Sequence, residues 1–117
     1  MIHRDLKLEN VLFETKFRGR IKVVDFGISG LCQGNVREKN EAATLKYMTP
    51  EMLSQRDSFA GPAMDIWAIG VMTYCMLFNK VPFDGNSKEE IKDKIMNMPY
   101  KVPRYELITP ECKLFLD

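Results

Sequence analysis

The sequence predicts a mainly α-helical fold that carries one small β-hairpin. Two short apolar and β-branched runs, Val11–Glu14 and Ile21–Val24, flank a basic turn that contains Gly19, which is typical of a hairpin. The segment Ala63–Phe78 is apolar on nearly every face of a helix, so we expect a central helix that is buried all round. Signals for the start of a helix occur twice in the residues that follow it.

Loops and one short helix connect the hairpin to the central helix. Residues 28–43 are polar and contain glycine and asparagine without a sustained period, which predicts a surface loop. Residues 51–55 predict a short helix. After the central helix, Val81–Gly85 has the composition of a turn.

Two further helices are predicted from their capping residues. Ser87 and Glu90 have the spacing of a capping box, which predicts a helix that runs to about Met98. Thr109 and Pro110 supply an N-cap and a first-turn proline for a last helix.

Length and composition limit the classes of protein to be considered. With 117 residues, 45% hydrophobic and 28% charged, the chain is one globular domain or part of one. A net charge of +1 gives no bulk reason to expect nucleic acid or a membrane as partner. The 3 cysteines are widely spaced, and neither a secretion signal nor an apolar run of membrane-spanning length is seen. We therefore expect reduced thiols and a cytoplasmic protein, with the nucleus as the alternative.

Four motifs follow one another in order: His3–Asn10 (His-Arg-Asp-Leu-Lys-Leu-Glu-Asn), Asp25–Gly27 (Asp-Phe-Gly), Thr49–Glu51 (Thr-Pro-Glu) and Asp65–Gly70. One such tripeptide would be a weak signal, but the ordered set is not expected by chance. In these motifs the chain resembles the C-terminal lobe of a eukaryotic protein kinase domain of the serine/threonine type. The stretch from Asp65 onwards is most similar to the calcium/calmodulin-dependent group.

The resemblance implies a C-terminal lobe of a protein-kinase-like fold, with residues 1–117 forming a partial domain that lacks the N-terminal lobe. It also implies transfer of the γ-phosphate of ATP, with Mg²⁺, to a serine or threonine of a protein substrate. Asp5 would orient the attacking hydroxyl, Lys7 would contact the transferred phosphate of ATP, and Asn10 and Asp25 would bind the metal ions. The alternative for Asp5, Asn10 and Asp25 is that they are turn-forming residues beside a hairpin.

The resemblance also implies substrate-binding residues. Thr44 would receive the substrate and, with Lys7, favours a serine or threonine acceptor. Leu45 and Met48 would line the pocket for the residue after the acceptor. Glu9 would bind a substrate arginine, although Cys75 replaces a second acidic position that some kinases use.

Structural and regulatory roles follow in the same way. His3 and Phe26 would belong to a hydrophobic spine, and Gly27 completes the second motif. Asp65 would accept main-chain amides of the catalytic loop. The buried carboxylate of Glu51 would pair with an arginine beyond Asp117.

Arg4 would bind an acidic side chain of the activation loop. Near Asn40 many kinases carry a phosphothreonine, and Glu38 or Glu41 could replace it, which predicts activity without phosphorylation. The alternative is that both glutamates are solvated. Leu12, Met72 and Met76 are interpreted as core residues.

Three interpretations of the whole chain remain open: part of an active kinase, a non-catalytic interaction module, and a partial gene product. We expect the isolated polypeptide to be inactive and to aggregate. Regulation of the parent protein by a calcium sensor is a further implication of the group resemblance.

Overall fold

A computed structural model of the chain describes residues 2–17, 19–25, 45–54, 62–103 and 108–117. Within these ranges the predicted helical fold with one hairpin is confirmed, whereas the predicted loop at 28–43 lies outside them. A turn of 3-10 helix precedes the hairpin. The elements are the 3-10 turn Leu8–Asn10, strands β1 Val11–Phe13 and β2 Ile21–Val23, and helices α1 Pro50–Leu53, α2 Ala63–Phe78, α3 Lys88–Asn97 and α4 Pro110–Leu116.

The two strands pair in antiparallel fashion, with Leu12 opposite Lys22. Main-chain hydrogen bonds close both ends of the hairpin, from Glu14 to the carbonyl of Arg20 at 2.9 Å and from Val24 to the carbonyl of Asn10 at 2.8 Å. The second bond fixes the end of β2 beside the 3-10 turn. The hairpin therefore holds Asp25, the first residue of the second motif, near the end of the first motif.

Helix α1 begins at Pro50, one residue before the predicted start. Its N-cap is Thr49, which is only 3% exposed and whose hydroxyl accepts a hydrogen bond from the amide of Met52 at 3.2 Å. The cap satisfies one of the amides that the first turn of a helix leaves unpaired.

Helix α2 has the predicted bounds, but the prediction that it is buried all round is wrong. Met72 is buried, whereas Ile66 is 67% exposed and Met76 is 68% exposed. The described elements cover one side of α2 only, which leaves the other side in contact with water. The helix ends at Phe78 and is capped by Asn79, whose left-handed φ of 52° suits a residue with a short polar side chain.

The hairpin is also exposed, because the described elements leave part of its surface in contact with water. Leu12 was also predicted to be a core residue, and this prediction is wrong because Leu12 is 49% exposed. No described element packs over that position of β1.

The main apolar cluster joins the segment before α1 to α3. It consists of Leu45, Phe83, Ile91 and Ile95, and Trp67 of α2 packs against it. The rings of Trp67 and Phe83 are stacked, with 6.1 Å between their centroids. This cluster fixes residues 45–49 relative to α2 and α3.

The capping box of α3 differs in one bond from the predicted form. The hydroxyl of Ser87 accepts from the amide of Glu90 at 3.1 Å, as predicted. The carboxylate of Glu90 instead accepts from the amide of Asn86 at 2.8 Å, one residue further back than the N-cap. The N-cap predicted for the last helix is confirmed, since the hydroxyl of Thr109 accepts from the amide of Cys112.

Within the described ranges, none of the helices combines the length and the apolar character that crossing a membrane would require.

Candidate active site

The first motif forms a loop whose main chain is hydrogen-bonded to Asp65 of α2. One carboxylate oxygen of Asp65 accepts from the amide of His3 at 2.8 Å, and the other accepts from the amide of Arg4 at 3.0 Å. These are the hydrogen bonds expected for Asp65. Arg4 has a φ of 69°, a left-handed conformation that is uncommon for residues other than glycine. The two hydrogen bonds to the carboxylate offset the cost of that conformation.

His3 links the loop to the end of β2. Its side chain is buried, and Nδ1 accepts from the amide of Asp5 at 3.3 Å. The ring proton therefore belongs on Nε2, which lies 3.1 Å from the carbonyl oxygen of Val24 and can donate to it. His3 is thus buried as a core residue would be, but it also makes polar bonds on both sides of the ring.

Three of the predicted catalytic residues converge in this loop. Lys7 Nζ lies 3.1 Å from Asp5 Oδ2, and both side chains are largely buried. The side-chain nitrogen Nδ2 of Asn10 donates to the main-chain carbonyl oxygen of Asp5 at 2.8 Å and lies 3.4 Å from Asp5 Oδ2. Because Asn10 is 6% exposed, its side-chain orientation is fixed by these contacts. A carboxylate, an ammonium and an amide are therefore held in one small volume.

Asp25 lies two residues after the end of β2 and is exposed, with a φ of 64°. It stands next to Val24, whose amide is bonded to the main chain of Asn10. Asn10 and Asp25 thus extend from neighbouring points at the end of the hairpin. The described part of the chain contains no group of three or more acidic, histidine or cysteine side chains that could together hold a metal ion. Two oxygen-bearing side chains still suit Mg²⁺, which commonly takes its remaining ligands from water and phosphate.

A small cavity of about 20 Å³ lies beneath the loop, lined by residues that include Arg4, Asp5 and Met48. This volume is close to the minimum that a water molecule needs. Arg4 Nε is buried and has no hydrogen-bond partner among the described residues. The acidic partners predicted for Arg4, Glu38 and Glu41, lie outside those residues.

The predicted substrate-binding residues are only partly brought together. Met48 lines the cavity beside Asp5, and Glu9 is exposed next to the loop. Leu45 is 4% exposed and belongs to the apolar cluster, so its predicted contact with the substrate stays a prediction. Thr44 lies outside the described residues, as do Phe26 and Gly27.

The prediction of a buried carboxylate at Glu51 is wrong for this structure. Glu51 is exposed in the first turn of α1. Its side chain therefore needs no buried cationic partner, since water can solvate the charge.

Tyr47 is a contact residue that lies outside the four sequence motifs. Its hydroxyl interacts with the main chain of Leu8 and with the thiol of Cys75 on α2. Burial raises the pKa of both Tyr47 and Cys75. The negative charge of Glu9 raises the pKa of Cys75 further. From the sequence, only the closeness of Tyr47 to Thr44 could have indicated these contacts, because Leu8 and Cys75 lie far from Tyr47 along the chain.

Comparison with known proteins agrees with the geometry of this loop. The whole chain, residues 1–117, matches the family model described as the protein kinase domain. It is 41% identical over 115 residues to "Serine/threonine-protein kinase SAPK4" of Oryza sativa subsp. japonica, covering 95% of this chain and 32% of that protein. It is 40% identical over 120 residues to "Serine/threonine-protein kinase SRK2A" of Arabidopsis thaliana, covering 98% of this chain and 32% of that protein.

A more distant relative is "Protein kinase kin1" of Schizosaccharomyces pombe, with 34% identity over 117 residues that cover 100% of this chain and 13% of that protein. The chain thus spans about a third of the length of the two plant relatives. The family model covers every residue of the chain, including the loop in which Asp5, Lys7 and Asn10 meet. The chain belongs to the protein kinase family.

Proposed function

We propose that this chain is the C-terminal-lobe part of a serine/threonine protein kinase, which transfers the γ-phosphate of ATP to a hydroxyl of a protein substrate. The observation that carries the proposal is the grouping of Asp5, Lys7 and Asn10 in the loop that Asp65 holds. The names of the plant relatives support the choice of serine and threonine as acceptors. Lys7 and Thr44 favour the same acceptors.

The hydrogen bonds around Asp5 suggest how it acts. Its Oδ2 is engaged by Lys7 and Asn10, whereas Oδ1 accepts no hydrogen bond from the described residues. Oδ1 is therefore available to accept a hydrogen bond from the hydroxyl of a substrate and so to orient that hydroxyl. The ammonium of Lys7, 3.1 Å from the carboxylate, is placed to contact a phosphate oxygen beside the same hydroxyl.

Asn10 and Asp25 would hold Mg²⁺, since both provide oxygen ligands at the end of the hairpin. When bound, the metal would neutralise negative charge on the phosphates. Asn10 uses its amide nitrogen on Asp5, which directs its carbonyl oxygen away from that residue and leaves it available as a ligand.

Two finer expectations find no support. The relatives that name a kinase type do not mention calcium or calmodulin, so neither that group nor a calcium sensor forms part of the proposal. A non-catalytic interaction module is the competing interpretation. The presence of Asp5, Lys7, Asn10 and Asp25 together disfavours it.

The test is phosphorylation of a serine or threonine peptide by the full-length protein that contains this chain. We expect Asp5→Asn and Asp25→Asn each to reduce turnover by about 10²- to 10⁴-fold. Asp93→Asn is the matched control, because Asp93 is exposed on α3 and accepts a hydrogen bond from Asn97 of the same helix. Unchanged turnover in the Asp5 variant would refute the proposed function.

A further inference from the structure

An ion pair ties the segment before α1 to the turn before α3. Lys46 Nζ lies 2.7 Å from Asp84 Oδ1, although the two residues are 38 positions apart in sequence. Lys46 follows Leu45, and Asp84 follows Phe83. Because Leu45 and Phe83 are both buried in the same apolar cluster, the ion pair and the cluster join the same two segments.

Asp84 is itself fixed by bonds on its own side of the pair. Its Oδ1 also accepts from the amide of Gly85 at 3.0 Å, and Lys94 Nζ donates to its carbonyl oxygen at 2.5 Å. Lys94 is further paired with Glu90 at 2.6 Å, whose other oxygen accepts from Asn86. The turn is therefore attached to α3 at Glu90 and Lys94, independently of Lys46.

Lys46 is the only cation in residues 45–54 and is partly buried, with 29% of its side chain exposed. The hydrogen bond from Lys46 is the largest cause of the lowered pKa of Asp84. An ion pair as exposed as this one usually contributes little to global stability. Its consequence should therefore be local, at the residues that Lys46 adjoins.

The adjoining residues are those that face the catalytic loop. Tyr47 interacts with the main chain of Leu8, and Met48 lines the cavity beside Asp5. A displacement of Lys46 would move both residues relative to Asp5. The position of Lys46 thus affects the side of the site at which a protein substrate would bind.

We propose that Lys46 and Asp84 are positioning residues that hold residues 45–49 in the conformation required to bind the protein substrate. This inference rests on the proposed kinase function. Neither residue contacts Asp5, Lys7 or Asn10 within the described part of the chain, so the pair should affect binding of the protein substrate more than the chemical step or the binding of ATP.

The test compares charge reversals in the full-length protein. We expect Lys46→Asp and Asp84→Lys each to raise the KM for a peptide substrate about threefold or more, the size of coupling seen between contacting side chains. The KM for ATP and kcat should change by less than this. The double variant with both charges reversed should recover most of the loss. Lys92→Asp and Asp93→Lys, on the exposed side of α3, are the matched controls.

Hydrogen exchange of residues 46–54 gives a readout that does not depend on activity. We expect faster exchange there in each single variant, recovery in the double variant, and no change in the controls. Unchanged exchange in the single variants, or no recovery in the double variant, would overturn the pairing. Normal peptide KM values despite faster exchange would overturn the positioning role. A wild-type protein that phosphorylates no peptide would refute the proposed function and, with it, the role of the pair in substrate binding. Hydrogen exchange would still show whether Lys46 and Asp84 hold residues 45–49 in place.

Discussion

The single residue on which the loop geometry depends most is Asp65. Its two carboxylate oxygens accept from two consecutive amides, those of His3 and Arg4. Consecutive amides that point to the same side require an unusual backbone, and Arg4 supplies it with its φ of 69°. The charge of Asp65 therefore stabilises a conformation from which Asp5 and Lys7 extend.

We predict that Asp65→Asn lowers the free energy of unfolding of the kinase domain by about 1–3 kcal/mol. Asparagine keeps one acceptor oxygen but places an NH₂ group opposite a main-chain amide, which leaves one donor unsatisfied. Urea unfolding of the full-length protein measures the change, with Asp93→Asn as the control. Equal midpoints for the two variants would contradict the role assigned to Asp65.

At the scale of residues, the sequence predicts correctly that the candidate residues of one contiguous motif lie close together. Asp5, Lys7 and Asn10 lie within six positions of one another, so their proximity is nearly assured by the chain itself. Lys46 and Asp84 could not be paired in this way, because their approach depends on how the apolar cluster packs. The same packing buries Leu45, and a sequence motif could not have predicted that burial.

At the scale of elements, the first turn of α1 depends on Thr49, which takes the place of the alanine that is usual in the third motif of the protein kinases this chain resembles. Alanine is usual at the position of Thr49, yet here the threonine hydroxyl caps the helix and is buried. The family pattern alone would therefore suggest that alanine is harmless at this position.

We predict instead that Thr49→Ala destabilises the protein by about 1 kcal/mol, because the amide of Met52 loses its acceptor. Thr49→Ser is the matched variant, since it retains the hydroxyl and should recover most of that loss. The measurement is the urea midpoint at constant m-value. A serine variant as unstable as the alanine variant would show that the methyl group, and not the cap, matters.

Helix α3 provides a prediction about pH. The bond from Lys94 is the main cause of a lowered pKa at Glu90, whose ordinary value is 4.5, and the bond from Asn86 adds to it. A carboxyl group with a lowered folded-state pKa stabilises the fold above its unfolded pKa, and that contribution is lost as the pH falls through the folded-state pKa. The helix start should therefore stay intact at pH 4.5 and loosen below it.

The amide resonance of Asn86 reports this titration in NMR spectra, because that amide donates to Glu90. We predict a midpoint below 4.5, and a shift back towards 4.5 in Lys94→Met. Lys92→Met serves as the control, since Lys92 is exposed. A midpoint that Lys94→Met leaves unchanged would contradict the assigned cause.

The start signals of the helices could be predicted from sequence because a cap is a local interaction. Thr109 and Ser87 bond to amides three residues further on, at a spacing that the sequence displays directly. The burial of α2 could not be predicted in the same way. Its apolar composition indicates that a helix can be covered on every side, but which sides are covered depends on elements distant in sequence.

At the scale of the whole molecule, the described surface carries large apolar side chains in two areas. A groove of about 340 Å³ between α2 and α4 is lined by residues that include Ile66, Trp67 and Phe115. The hairpin carries the second area, where Phe17 is 93% exposed and Ile21 is 58% exposed. Surfaces of this kind are uncommon on monomeric soluble proteins and favour association.

We predict that the isolated 117-residue polypeptide self-associates in a concentration-dependent manner, because each 100 Å² of apolar surface removed from water contributes about 2.5 kcal/mol. Light scattering coupled to size-exclusion chromatography measures the mass. If the groove causes the association, the double variant Ile66→Lys, Phe115→Lys should reduce it. If the hairpin causes the association, Phe17→Lys should reduce it. Lys92→Glu should leave the mass unchanged. A polypeptide that stays monomeric at every concentration and melts cooperatively would contradict the prediction, since its exposed apolar side chains would then be compatible with a stable fold in water.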